Sequence, residues 1–487
     1  MLILAMAAIT TKEAIMRIEQ KAAYLKPLAV GLSALLLTGC ATFSKDGGLD
    51  SVSAMTKERT GLAVQREKSA DESAAVQGTV EQLLEKPLTP DSAAQIALAN
   101  NKGLQAGFAE LGVAEANLVQ AGRMRNPGFS FSRLRGGDDI EIDRSIMFDF
   151  VGLLTIPLRS NIESRRFEQA KLQAASQAIQ LAANTRKAYF NAVAAQQSAQ
   201  YAEQVTAAAE ASAELAQRMS RVGNWSKLDQ AREQAFYADA MTQLARARHN
   251  ATAAREQLAR LLGLWGTAVD YKLPDRLPDL PKAPNEVANI ESQAMSQRLD
   301  VQMARRGAEA TASALGLTRA TGVINVFEAG YINKSQTGAP RENGYEISLE
   351  LPLFDWGGAR VARAQATYMQ AVHRTADTAI RARSEVREAY SAYRTSYDVA
   401  KHYRDQVVPL RKRISDEVLL RYNGMLASVF ELLTDARDQV NSVNRSIEAQ
   451  RDFWIADTDL QAAVNGSGSR PNPTSSQTFG DPASPAH

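Results

Sequence analysis

Two periodicities take turns along the chain. Long stretches in which apolar residues recur every three to four positions, the mark of helices burying one stripe, give way twice to short stretches of period two, the mark of strands with unlike faces. The first helical pattern runs from Pro90 to about Met124: Thr89 is placed to cap it, Pro90 suits its first position, and Asp91 meets the positive end of the dipole. Asn126-Pro127 stops it. Phe129 and Phe131 then alternate with Ser130 and Ser132, and Ile146, Phe148, Phe150, Leu154, Ile156 and Leu158 hold even positions. Strands are therefore predicted over about 127–135 and 145–158, joined by the polar, Gly-rich Arg135-Gly136-Gly137-Asp138-Asp139. Residues 160–220 predict a continuous helix about 90 Å long, at roughly 1.5 Å per residue. Arg221-Val222-Gly223-Asn224 breaks it, and Lys227 to Leu262 is helical again.

After a Pro-rich connection the same order of elements returns. A helix is predicted over 285–320, strands over about 323–334 and 343–354, a long helix over 359–421 broken at Asn423-Gly424, and a last helix over 428–464. Ile156-Pro157-Leu158 answers Leu351-Pro352-Leu353, Ala188-Tyr189 answers Ala389-Tyr390, and Ser226 with Asp229 answers Ser428 with Glu431. A period of about 200 residues is far longer than a solenoid repeat, so this is one α-β-β-α-α module duplicated. The organisation expected is a signal peptide (1–39, with Met16 as the better start), a lipidated, extended tether (40–88), a first repeat (89–266), a Pro-rich linker (267–284), a second repeat (285–465) and a disordered tail (466–487).

The leader changes the picture from a soluble helical protein to an envelope one. Lys21 and Lys26 precede the apolar run Leu28 to Leu37, which ends in Leu37-Thr38-Gly39-Cys40. That run is too short to span a bilayer and has the layout of a signal peptide. It resembles a bacterial lipobox, in which Cys40, the chain's one cysteine, is lipidated and becomes the first mature residue. Ala41 follows, where an Asp in that lipoprotein class favours retention at the inner membrane, so outer-membrane sorting is expected. Beyond Cys40 no apolar run approaches the roughly 20 residues of a spanning helix, so any span must use strands.

Four strands cannot close a barrel, since the smallest membrane barrels have about eight and open edges are not tolerated in lipid. Several chains must share one. A helix of some 60 residues makes the same demand, because it must pack lengthwise on others as a coiled coil. The passages Leu88-Thr89-Pro90-Asp91 through Ala97-Leu98-Ala99-Asn100-Asn101, Leu351-Pro352-Leu353-Phe354-Asp355-Trp356-Gly357-Gly358, and Arg421-Tyr422-Asn423-Gly424 with Glu431-Leu432-Leu433 resemble the TolC-like outer membrane efflux protein family. The likeness covers about 88–465; the first half departs from it at Arg159-Ser160-Asn161. The resemblance implies a mainly α fold with a transmembrane β-barrel of twelve strands shared by a homotrimer, continued by a long helical periplasmic barrel. It further implies a passive exit duct that works with a periplasmic adaptor protein and an inner-membrane pump of RND type.

Candidate functional residues follow from the same pattern. In the fourth strand Tyr345, Ile347, Leu349, Leu351 and Leu353 alternate with Glu346, Ser348 and Glu350; carboxylates are costly in lipid, so Glu346 and Glu350, with Asp149, are expected to face a lumen that favours cations. Unselective polar filling of a wet lumen would give the same alternation. Gly223, Ser226 and Asp229, and Gly424, Ser428 and Glu431, have the turn, serine cap and acid of a new helix start. The resemblance adds that these tips meet the adaptor and ring a closed entrance, with Arg421, Tyr422, Glu431 and Asp435 as contacts holding it shut. Asp138, Asp139, Glu141 and Asp143 are spaced unlike an EF-hand loop and are taken as an acidic surface loop. The four histidines lack ligand spacing, and there is no Walker loop, dinucleotide fingerprint or nucleophile elbow, so no metal, cofactor or enzymatic activity is expected. Lys plus Arg (56) nearly balances Asp plus Glu (54), which leaves no basic excess for nucleic acid. The competing reading is a lipid-anchored periplasmic coiled-coil adaptor or spacer, which has no use for four apolar strands.

Overall fold

Ser and Thr caps, long Ala-rich runs and a few Gly or Pro interruptions divide the chain into eleven helices and four strands among the described residues, which are 42–67, 69–286, 289–321, 326–350 and 354–466 of a computed structural model. The signal peptide, Cys40 and the tail beyond Gly466 lie outside them. In order, the elements are α1 (Leu49–Thr60), α2 (Ala70–Leu84), α3 (Pro90–Asn100), α4 (Lys102–Ala121), β1 (Gly128–Gly136), β2 (Asp139–Asp149), α5 (Phe150–Arg221) and α6 (Lys227–Leu262). They continue with α7 (Ile290–Gln297), α8 (Leu299–Ala320), β3 (Phe327–Gln336), β4 (Glu342–Leu349), α9 (Gly358–His402), a π-turn (Tyr403–Val407) ahead of Pro409, α10 (Val408–Asn423) and α11 (Val429–Asn465). The two halves follow the α-β-β-α-α order, and each opening helix is broken once, at Asn101 and at Arg298.

Two compact units result. Among the described residues, one comprises 42–47, 112–167 and 309–369 and holds the antiparallel sheet, in the order β1-β2-β3-β4. The other comprises 48–111, 168–308 and 370–466 and holds the aromatic core. In that core Phe190 stacks on Trp454 (centroids 5.5 Å apart), Phe453 meets Tyr393, Tyr397 and Trp454, and Ala93, Ile96, Ala97, Val193, Leu258 and Leu262 fill the gaps. The Pro-rich linker is fastened to it: Gln450 and the Trp454 indole both donate to the Pro278 carbonyl, and Tyr397 Oη donates to that of Lys282.

Two expectations are corrected. The segment after Cys40 is not an extended tether throughout, because it contains α1 and α2. Val76 and Val80, one turn apart, join the aromatic core, Val52 and Thr56 are buried at the same spacing, and Ser69 caps α2 through the Glu72 amide. The second strand does not run over 145–158; it ends at Asp149 and the chain turns helical at Phe150. Phe150, Leu154 and Leu158 share even parity but are also spaced i, i+4, i+8, so one set of residues satisfies both periods. The Asp149 carboxylate decides between them: its Oδ1 accepts the Gly152 amide at 2.7 Å and caps the helix. Pro157 sits within α5, so the helix continues without that residue's amide hydrogen bond. Leu351 to Leu353, the end expected for the fourth strand, lie outside the described residues.

Candidate functional site: an amphipathic sheet and the helix tips

The register of the sheet sorts its residues into two chemically opposite faces. One face carries the cross-strand rows Phe327–Leu349, Phe148–Ala329–Ile347 and Phe129–Ile146–Tyr331–Tyr345. These side chains are bare: Phe129 is 68% exposed and Tyr345 84%. The other face carries Ser132–Asp143–Lys334–Glu342, Ser130–Ser145–Ile332–Gly344, Gly128–Met147–Gly330–Glu346 and Asp149–Glu328–Ser348. Asp149 and Glu346 therefore share a face, and Glu350, whose amide donates to Val326 O at 3.4 Å, continues its parity. Asp149 is committed to capping α5 and lies 3.8 Å from Arg125, so its charge is partly spent locally. Glu328 and Glu342 add acids that the sequence reading did not single out, because their rows become visible only with the register. Lys334 lies 3.5 Å from Asp143 and 4.0 Å from Glu141, so half of the acidic cluster at 138–143 faces a lysine. Among the described residues no three His, Cys, Asp or Glu side chains gather as a metal site.

β1 and β4 each have one unpaired edge. An open-edged sheet with a bare apolar face is a liability in water, where natural proteins cover or charge such edges. Lipid against the apolar face and neighbouring strands at the edges remove both problems at once. The strand lengths, 9, 11, 10 and 8 residues, approach what a tilted strand needs to cross a bilayer. Among the described residues no helix is long and apolar enough to do so.

At the helix tips the two repeats build the same turn with different residues. Gly223 (φ 78°) donates to Ser220 O and Asn224 to Met219 O; Met425 (φ 60°) donates to Tyr422 O and Leu426 to Arg421 O. Both are left-handed helix stops with paired 5→2 and 6→1 hydrogen bonds. The equivalent of Gly223 is thus Met425, a left-handed position that disfavours side chains, and Gly424, the glycine that the repeat comparison matched to it, has a φ of −81°. Ser226 and Ser428 cap the next helices by accepting the Asp229 and Glu431 amides. Among the described residues Arg421 pairs with Glu417 of its own helix (3.4 Å), and Glu431 is exposed. Contacts between α6 and α11 come instead from residues that the pattern did not flag. Arg232 lies over the Phe430 ring, and Arg437 lies over Phe236 and 3.5 Å from Asp239. Two acids are buried nearby. Glu233 accepts the Ser212 hydroxyl at 2.9 Å, and burial holds its carboxyl above the usual range against the pull of Ser212 and the Arg437 charge. Asp435 is buried with one carboxylate oxygen lacking a hydrogen bond among the described residues. Burial, with Glu233 and Asp229 nearby, raises the Tyr422 phenol.

The model of the family described as outer membrane efflux protein matches residues 93–264. That match spans the body of the first repeat. The chain is also similar in fold to solved outer-membrane channels. The Campylobacter jejuni CmeC outer membrane channel matches with a TM-score of 0.68 at 17% identity, over 88% of this chain and 93% of that one. The outer membrane protein VceC of Vibrio cholerae matches at 0.64 and 15% identity, over 81% and 97%. The open state of the Neisseria gonorrhoeae MtrE outer membrane channel matches at 0.59 and 17% identity, over 80% and 89%. A search of curated protein sequences finds no match. The fold shared with these channels, mostly helical with a small sheet, is the one expected from the sequence.

Proposed function

We propose that this chain is an outer membrane efflux protein, one third of a passive exit duct through the outer membrane. Three copies join β4 of one protomer to β1 of the next and close a barrel of twelve strands. The observation that carries the proposal is the four-stranded sheet whose apolar face is bare and whose two edges are unpaired. The acid-rich face then lines water and favours cations, with Glu346 and Glu350 as its free carboxylates. Lipidation of Cys40 anchors each chain, the tips around Gly223 and Met425 meet a periplasmic adaptor, and an inner-membrane pump of RND type supplies the energy. No catalytic step is involved.

Purified protein in a planar lipid bilayer tests this reading. Discrete conductance steps are expected, with a reversal potential under a salt gradient that favours cations and moves toward zero in Glu346→Gln/Glu350→Gln. Absence of conductance would contradict the duct; an unchanged reversal potential would remove the role of these acids alone.

A further inference from the structure

The outward, apolar face of the sheet does not stay apolar to its end. Beyond the row Phe129–Ile146–Tyr331–Tyr345, toward the hairpins, comes Phe131–Arg144–Asn333–Asn343, then Arg133–Ile142–Ser335, then Arg135–Ile140. Three arginines thus occupy one face on two adjacent strands, with Arg133 and Arg135 two residues apart along β1 and Arg144 diagonal to Arg133, so neighbours are roughly 7–8 Å from one another. Among the described residues none of the three has an ion pair. Arg144 donates to Asn333 Oδ1 (3.0 Å) and Arg135 to the Gly137 carbonyl (3.2 Å). The acids of the same strands, Asp139, Glu141 and Asp143, fall on the opposite face by alternation, where Lys334 meets two of them. A guanidinium offers planar, forked donors suited to phosphate.

We infer that Arg133, Arg135 and Arg144 form a belt on the lipid-facing side of the barrel that binds the phosphates of an anionic glycolipid headgroup in the outer leaflet. The inference rests on the proposed membrane placement, in which the hairpins lie at the outer surface and the apolar rows beneath them face acyl chains. Charge selects the partner: a zwitterionic or neutral headgroup leaves three cations bare at a boundary where desolvation begins, whereas phosphates on a sugar scaffold are spaced to meet more than one. Tyr331, in the last apolar row, places its hydroxyl on Asn343 (2.7 Å), toward the same polar margin.

Native mass spectrometry of the detergent-purified protein, titrated with bisphosphorylated lipid A, tests the belt. Arg133→Gln, at an exposed position, should lower adduct occupancy about fivefold, and Arg133→Gln/Arg135→Gln/Arg144→Gln should lower it by about two orders of magnitude. The triple Lys variant should keep most of it. Lipid A stripped of phosphate should bind wild type and the Gln variants equally weakly, and inorganic phosphate at the same concentration should not compete. Equal occupancy in wild type and the triple Gln variant overturns the proposal, and competition by inorganic phosphate would assign the arginines to a free anion. Bilayer conductance recorded on the same preparations separates the two readings: channels that conduct but bind the lipid indifferently to these arginines leave the duct standing and remove the belt.

Discussion

Single residues here act chiefly by closing joints between segments far apart in sequence. Arg298 is 0% exposed, bonded to Asp300 and Glu385 (2.6 Å each) and to the Ala463 carbonyl (2.8 Å), so it ties the break between α7 and α8 to α9 and to the end of α11. Burial alone would weaken its hold on the proton, but the hydrogen bonds and charges of the two carboxylates outweigh it and the guanidinium stays charged. Arg298→Ala takes the buried guanidinium away from both carboxylates and should cost about 3 kcal/mol, the lower end for a broken buried pair because Glu385 is partly exposed. A lowered unfolding midpoint by circular dichroism, only partly restored by Arg298→Lys, is the expected reading. Glu233 carries a pH signature. Its folded-state affinity for a proton is raised by burial, so the folded form holds more protons than the unfolded one between the ordinary carboxylate range and the raised value. Stability should therefore fall as pH rises through that window, and Glu233→Gln should flatten the slope of unfolding midpoint against pH. Identical slopes in both proteins would count against a buried, titrating Glu233. Neither residue stood out in the sequence, because an Arg or Glu on a helix is usually solvated and only the fold reveals which one is enclosed.

At the scale of elements, the helix caps, breaks and duplicated order were legible because each rests on local chemistry: Thr89 before Pro90, Ser226 before Asp229, Ser428 before Glu431. What misled was parity. Phe150, Leu154 and Leu158 fit a strand and a helix equally, and the deciding contact, Asp149 to the Gly152 amide, is a side-chain choice that the pattern does not encode. The left-handed stop at Met425 was hidden for a related reason, since the glycine beside it drew the assignment. The register of the sheet supplies its own test. A Cβ on Gly330 would run into the Ile146 carbonyl and the Met147 sulfur, so β2 and β3 approach closely only because glycine stands there. Gly330→Val should separate β2 from β3, and heat-modifiable migration of the detergent-extracted protein in gels, a readout of closed barrels, should be lost. A variant that still runs as a compact species would show that the pairing tolerates the side chain.

For the whole molecule, the sequence was informative about demand and silent about supply. Too few strands for a barrel and apolar positions on alternate residues require other chains, and the bare face and unpaired edges of the sheet express that demand in three dimensions. The trimer itself is the central claim, and end-on class averages of the detergent-purified protein in negative-stain electron microscopy test it most directly. Rings with threefold symmetry around a stain-filled lumen are expected. Particles without threefold symmetry, or single chains with no lumen, would contradict it.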